Sequence, residues 1–437
     1  MADDELNKRN LPEEHDGLLD CTSLAICCSF NRCGSLLAVG YNDGRLVIWD
    51  FLNRFIAKNI NHAHAGHPVT SISWTRDGHK IVSSSVDNTL AVWEVKSGEC
   101  LKRWWFNAPI MKAQFNRRND NLIIVCPIRH TPILIEINYK TKSVQHKCIP
   151  SDKDEVDSNV VASFDRRGEY IYTGGSKGRI TIFRCPRELN EQDNFEMVSS
   201  FKIQPIGAAP ALIGEIEFAQ KNKNLFLVNS SDRTIRLYSC DSALRAGVNG
   251  QCEELRKFQD MVSKTMWKRC CFSGDKEASY VCGGSARNHA IYIWGREDNT
   301  VRKILQGTSK GEMLLDVQWH PLKPKVVSIA SGLVMVWSQV ESENWSAYAP
   351  EFKELLENED YNERESEFDE DDEDTSKNPN VKKEEHNETE LIDVVEVNYE
   401  EGDYKSSDEE DYNPEALEFI SVGLEDHEMV ASEDRGT

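Results

Sequence analysis

A unit of about forty residues, repeated along most of the chain, limits the possible fold more than any other feature. Its clearest copy runs from Gly66 to Phe106: GHPVTSISWTRDGHKIVSSSVDNTLAVWEVKSGECLKRWWF. After Gly66-His67 comes an alternating stretch VTSISW, the turn RDGH, a second stretch KIVSSSV and the tight turn DNT. A third stretch, LAVWEV, contains Trp93-Glu94, and SGECLKRWWF supplies a fourth. Alternation with a period of two, bounded by Asp, Gly and Asn turns, predicts a four-stranded antiparallel meander. His67 is expected to be the histidine of the Gly-His element that opens such a unit.

The frame recurs with aromatic endings at Trp49, Phe183, Tyr238, Trp294 and Trp337, and a weaker copy without the aromatic spans Ile110 to Ile137. One four-stranded sheet cannot bury both of its faces, but sheets stacked radially cover each other. The expected fold is therefore all-β, a seven-bladed WD-repeat β-propeller over residues 1–340. A strand from residues 12–20 is expected to complete the last blade and close the ring, since closure removes exposed sheet edges. The repeated aromatics are expected to be core wedges. Asp43, Asp87 and Asp232, which precede tight turns, are expected to be turn-stabilising acceptors.

Charge divides the chain in two. Residues 341–437 carry 36 acidic and 7 basic side chains, whereas residues 1–340 carry 38 and 44, leaving a body of +6 and a tail of −29. Only the body is suited to an anionic surface. All 13 cysteines lie in the body without a CxxC pair, which predicts free thiols, mostly buried in strands, in a reducing compartment. The first twenty residues lack the apolar core of a signal peptide, and no run approaches the ~20 apolar residues that span a bilayer. The expectation is a soluble nuclear or cytosolic chain without a membrane partner.

No P-loop, GxSxG, HExxH or paired Cys/His spacing is present, so no catalytic residue, metal or cofactor is expected. Candidate function lies instead in surfaces. In a propeller the connections between strands b and c share a face with those leading into strand a. Lys177, Arg179, Arg233 and Arg287 lie at such turns, and Lys264 and Lys310 precede strand a of blades six and seven. Together they suggest an arc that contacts phosphates without reading bases.

The acidic tail is not uniform. Trp345, Tyr348, Phe352 and Leu356 are spaced three and four apart, interrupted by Pro350, in a segment suited to ordering on a partner. Ile392, Val394 and Val397 stand in acid as a short linear motif, and Ser406 and Ser407 precede an acidic run suited to an acidophilic kinase. ALEFISVGLED carries no readable signal.

Several long strings are specific: NDGRLVIWDFL, NVVASFDRRGEYIYTG, KRCCFSGD, GSARNHAIYIW, LLDVQWHP and NWSAYAPEFKELLEN followed by ERESEFD. In these the chain resembles the retinoblastoma-binding protein 5 family, the WD-repeat core subunits of COMPASS-type (trithorax/mixed-lineage-leukaemia) histone H3 methyltransferase complexes. The resemblance runs from about residue 15 to 370 and patchily to about 410. It implies a non-catalytic nuclear scaffold for a SET-domain enzyme that methylates the fourth-position lysine of histone H3.

The resemblance also implies a division of the tail. Residues 341–370 are the activating and SPRY-subunit-binding segment, and 371–437 form a mostly disordered acidic tail with an adaptor motif near 391–397. Within these, Asn344, Trp345, Tyr348 and Phe352 activate the SET enzyme, with Phe352 facing it. Glu363, Glu365, Ser366, Phe368 and Asp369 bind the SPRY-domain (Ash2-like) subunit. Ile392, Asp393, Val394 and Val397 bind a small WD-repeat adaptor, although Glu396 stands where the family has a small polar residue. Arg233, Lys264, Arg287 and Lys310 contact nucleosomal DNA. Ser366 joins Ser406 and Ser407 as a candidate phosphorylation site. The competing expectation is a WD-repeat adaptor of a ubiquitin ligase or an RNA-processing assembly.

Overall fold

The computed structural model describes residues 11–138, 143–150, 160–186, 189, 195–204, 211–221, 224–260, 264–307, 312–339 and 416–420. The strands of these residues form seven sheets, each built on an antiparallel meander. Blade two shows the pattern, with strands Val69–Trp74, Lys80–Ser85, Thr89–Glu94 and Cys100–Trp105, here called a to d from the axis outward. Strands b are buried along their whole length or all but their first residue, as in LLAVGY of Leu36–Tyr41 and KIVSSS of Lys80–Ser85. Both of their faces meet a neighbouring blade, so they are filled by apolar or small residues, as in LIIVCP of Leu122–Pro127 and YVCGGS of Tyr280–Ser285. Outer strands such as Cys100–Trp105 keep a polar face.

The ring closes as the sequence leads one to expect. Glu14–Leu19 pairs antiparallel with Leu333–Ser338 and becomes the outermost strand of blade seven. The repeated aromatics Trp49, Trp93, Phe183, Tyr238, Trp294 and Trp337 are all buried. Core clusters bridge adjacent blades; Leu36 and Ile48 of blade one pack with Ile72, Trp74 and Trp93 of blade two. Burying each such side chain is worth about 1.5–3 kcal/mol, so each blade is stabilised largely by its neighbours. Seven of the cysteines are buried within this core, whereas Cys100 and Cys148 are exposed.

At the axis, Arg269 of blade six joins Glu215 of blade five at 2.7 Å and Asp316 of blade seven at 3.2 Å. Each carboxylate also accepts a backbone N–H at 3.0 Å, Glu215 from Cys270 and Asp316 from Cys28 of blade one. A shared charge network therefore ties four blades together across the ring closure.

One expectation is corrected. His64, not His67, performs the structural role in blade two: it is fully buried, whereas His67 is exposed. His64 Nδ1 lies 2.8 Å from Thr89 Oγ1 and 3.2 Å from Asp87, and its Nε2 lies 2.8 Å from Ser83 Oγ, which accepts the Trp93 indole N–H at 2.9 Å. The physical reason is distance along the chain. Val69 starts strand a, and the five residues from His64 let the imidazole reach back under the b–c turn, which the neighbouring His67 cannot do. The acceptor role of the turn aspartates is as expected: Asp43 accepts the Arg45 N–H at 3.1 Å and Asp87 the Thr89 N–H at 2.8 Å, while Asp232 bonds Ser230 Oγ at 2.6 Å.

The insert at 239–260 forms a helix, Cys240–Arg245, then a short strand Val248–Gly250 parallel to Met197–Lys202 of blade four. It returns as Arg256–Phe258, the outer strand of blade five. Among the described residues no helix is long and apolar enough to cross a membrane.

Candidate functional site

Five of the six cations expected in the phosphate-contacting arc are described, and three of them, which are also expected to contact DNA, are exposed: Arg233, Lys264 and Arg287. Hydrogen bonds to and from Met266 and Trp267 join the turns that carry Arg233 and Arg287. The Trp267 indole donates to the Arg233 carbonyl at 3.0 Å, and the Ala286 N–H donates to the Met266 carbonyl at 2.8 Å. The same stitch from a b–c turn to the segment before strand a recurs at Asn42–Leu24, Val86–Pro68 and Ile128–Pro109, so it belongs to the fold. In blades five and six it places cations from two b–c turns beside a third from the segment between them.

Arg233 and Lys264 hold left-handed backbone, with φ of 68° and 48°. Neither residue gains from that conformation, which costs of order 1 kcal/mol outside glycine. Both side chains are exposed at these tight turns. Lys177 lies exposed on the preceding turn, whereas Arg179 is half-buried and bonded to Asn249 of the inserted strand. Arg179 is therefore committed to the insert more than to the arc. Lys310 lies outside the described residues.

The opposite face, formed by the a–b turns, carries a contact that sequence reasoning missed. Residues 416–420 lie across the a–b turns of blades one and two. The Leu417 N–H donates to the Asp77 carbonyl at 2.8 Å, and Ser35 Oγ donates to the Glu418 carbonyl. Leu417 and Ile420 pack on the core shared by the two blades. Gly78 permits the approach: its φ is +75°, and a Cβ there would stand 3.0 Å from the Leu417 carbonyl. The available signal was an apolar island in acid, the same kind of signal that Ile392 and Val394 gave.

The turn that grips Glu418 is itself supported from blade seven. His320 donates from Nε2 to the Gly34 carbonyl at 3.1 Å, and its Nδ1 accepts the N–H groups of Leu322 at 3.0 Å and Lys323 at 2.8 Å. Phe30 and Phe51 enclose the ring. Burial lowers the pKa of His320 to about 4, and the nearby Lys323, Lys325 and Lys221 push it in the same direction. A second proton on Nδ1 would displace two backbone donors, so this histidine is built to stay neutral.

The remaining predicted residues lie outside the described residues: Asn344, Trp345, Tyr348, Phe352, Glu363, Glu365, Ser366, Phe368, Asp369, Ile392, Asp393, Val394, Val397, Ser406 and Ser407. No cluster of three or more His, Cys, Asp or Glu side chains suited to a metal occurs among the described residues.

Comparison with known proteins follows the same outline. A Vps8 β-propeller family model matches residues 21–132. The retinoblastoma-binding protein 5 homolog of Drosophila melanogaster is 49% identical over 417 residues, covering 95% of this chain and 81% of the relative. Retinoblastoma-binding protein homolog 5 of Caenorhabditis elegans is 41% identical over 405 residues, covering 92% and 84%. COMPASS component SWD1 of Saccharomyces cerevisiae is 31% identical over 365 residues, covering 79% and 81%. Among solved structures, the Cps50 (Swd1) β-propeller domain of Myceliophteria thermophila aligns with a TM-score of 0.64 at 24% identity, over 75% of this chain and 99% of that one. At that identity it supports the fold alone.

Proposed function

The chain belongs to the retinoblastoma-binding protein 5 family, and from that premise we propose that it is a non-catalytic scaffold subunit of a COMPASS-type histone H3 methyltransferase complex in the nucleus. The observation that carries this reading is the extent of the similarity: 95% of the chain aligns with the Drosophila relative, so the acidic tail is included with the propeller. A propeller used alone as a peptide receptor has no need of that tail.

In this reading the body and the tail divide the work. The tail bridges subunits: Asn344, Trp345, Tyr348 and Phe352 hold the SET-domain enzyme, the acidic stretch Glu363–Asp369 holds the SPRY-domain subunit, and Ile392–Val397 docks on the WD-repeat adaptor. Bridging two subunits favours the active arrangement of the SET domain by differential contact, which shifts its population. The exposed arc of Arg233, Lys264 and Arg287, continued by Lys310, meets the phosphate backbone of nucleosomal DNA. Arg233 and Arg287 stand on turns held by hydrogen bonds, which reduces the entropy lost on docking.

The test is a histone H3 methylation assay with a SET-domain enzyme and its SPRY subunit, adding the full chain or its Phe352→Ala variant. Stimulation is expected to fall by tenfold or more with the variant, while the thermal unfolding of the propeller is unchanged. Equal stimulation by both chains overturns the activating role of the tail.

A further inference from the structure

We propose that the cleft between blades four and five is a second peptide-docking site, taking a partner's extended segment with a large apolar side chain followed by a carboxylate. The template is the cleft between blades one and two, which the chain fills with its own Leu417, Glu418 and Ile420. That cleft is made by the a–b turn of one blade and the strand a and strand c ends of the next.

The same frame recurs three blades on. Phe30-Asn31-Arg32-Cys33-Gly34-Ser35-Leu36 of blade one corresponds position by position to Phe164-Asp165-Arg166-Arg167-Gly168-Glu169-Tyr170 of blade four. The strands pair in matching registers, Cys28 to Val39 and Phe30 to Leu37 against Ala162 to Thr173 and Phe164 to Ile171. The turn glycines have nearly the same φ, 74° at Gly34 and 68° at Gly168. On the facing blade, Phe218 stands where blade two has Trp74, and Cys240 where it has Val95.

Between blades four and five this frame borders a pocket of about 170 Å³ that opens to solvent past a polar rim. Tyr170, Tyr172, Phe218, Leu225, Cys240 and Leu244 form its apolar walls. The helix Cys240–Arg245 makes the difference, because it supplies Leu244 as an outer wall. A closed apolar cavity of about 150 Å³ admits a benzene ring, and this pocket, although open and polar at its rim, offers a similar volume to a Phe or Leu side chain.

The rim chooses the neighbouring residue. In the filled cleft, Cys33 Sγ lies 4.0 Å from the Glu418 carboxylate. The corresponding position in the second cleft is Arg167, which is exposed. The carboxylates of this rim are already engaged. Asp165 accepts the N–H groups of Glu169 at 2.8 Å and Tyr170 at 3.0 Å, Glu169 pairs with Arg118 at 3.2 Å, and Asp241 accepts the Asn224 amide at 3.0 Å. A carboxylate following the apolar anchor therefore meets a guanidinium, with a charge-assisted bond available that the first cleft lacks.

The probe is a fluorescein-labelled peptide with the sequence of residues 413–421, NPEALEFIS, titrated into the full chain and followed by anisotropy. Saturable one-to-one binding is expected. It should weaken at least tenfold in Arg167→Glu, recover in Arg167→Lys, weaken similarly in Leu244→Asp, and stay within twofold in Ser35→Ala. Melting curves check that each variant is folded; Arg167→Glu, at an exposed position, gives the decisive reading if Leu244→Asp is not. Three results overturn the proposal: no saturable binding, binding indifferent to Arg167→Glu, or binding lost in Ser35→Ala, which would put the probe in the first cleft.

Discussion

The two faces of the propeller are built from the same repeat and present opposite physics. On the b–c face, blades five and six present Arg233, Lys264 and Arg287 to solvent, with the turns of Arg233 and Arg287 held by hydrogen bonds. On the a–b face, blades one and two hold Leu417 and Ile420 against a shared apolar core, with two backbone-directed hydrogen bonds setting the register. Charge acts at range and is screened by salt; apolar packing acts only at close approach and is nearly indifferent to salt. On the proposed reading, one ring holds a polyanion on one side and peptides on the other without either interfering with its neighbour.

The largest expected effect breaks the charged side of this comparison. In the Arg233→Ala, Lys264→Ala, Arg287→Ala triple variant, duplex DNA or nucleosome affinity should fall by about two orders of magnitude at low salt. The slope of log K against log salt should become shallower by about 0.9 for each phosphate no longer neutralised by a side chain. An unchanged slope, measured by titration at several salt concentrations, would show that these cations are ordinary solvated surface and would remove the contrast between the faces.

The second effect lies on the a–b face and depends on pH. His320 has a pKa of about 4 in the folded chain, against about 6.5 unfolded. As pH falls below the unfolded value, the unfolded chain takes up the proton first, so stability present above about pH 6.5 is lost progressively toward pH 4. At pH 5 the loss from this one group is about 2 kcal/mol. His64 and His289 are also lowered by burial, so wild-type acid sensitivity sums over several sites. Denaturant unfolding of His320→Asn at pH 7.5 and pH 5 isolates the turn that supports Gly34: the variant should lose less on acidification than the wild type. Equal losses would place the acid sensitivity elsewhere.

How much of this is legible in the sequence follows from what the repeat encodes. Strand order, the wedge aromatics and the closure by Glu14–Leu19 are consequences of alternation and turn chemistry, which are local, and they can be read directly. The role of His64 falls to His67 in a sequence reading because the Gly-His pair is a local signal, whereas burial under a b–c turn depends on reach through space. Arg233, Lys264 and Arg287 can be grouped on one face because the fold fixes which turns share it. Leu417 escapes, since its partners Asp77 and Ser35 are hundreds of residues away and nothing near ALEFI announces them. The cleft lined by Tyr170 and Leu244 escapes for the same reason, its walls coming from two blades and an inserted helix.

The smallest effect sharpens the comparison from its apolar side. Leu417 is half-buried, so Leu417→Ala removes part of a leucine's packing and should weaken the hold on blades one and two by about 1 kcal/mol. The readout is hydrogen exchange at the Leu417 amide, which donates to the Asp77 carbonyl. Exchange should quicken about fivefold in the variant, and the ratio to wild type should be the same at low and high salt. A salt-dependent ratio would mean that the acidic flanks of ALEFI, rather than the leucine, hold the segment in place. The a–b face would then be a second electrostatic surface, and the division between the two faces would lie in their geometry alone.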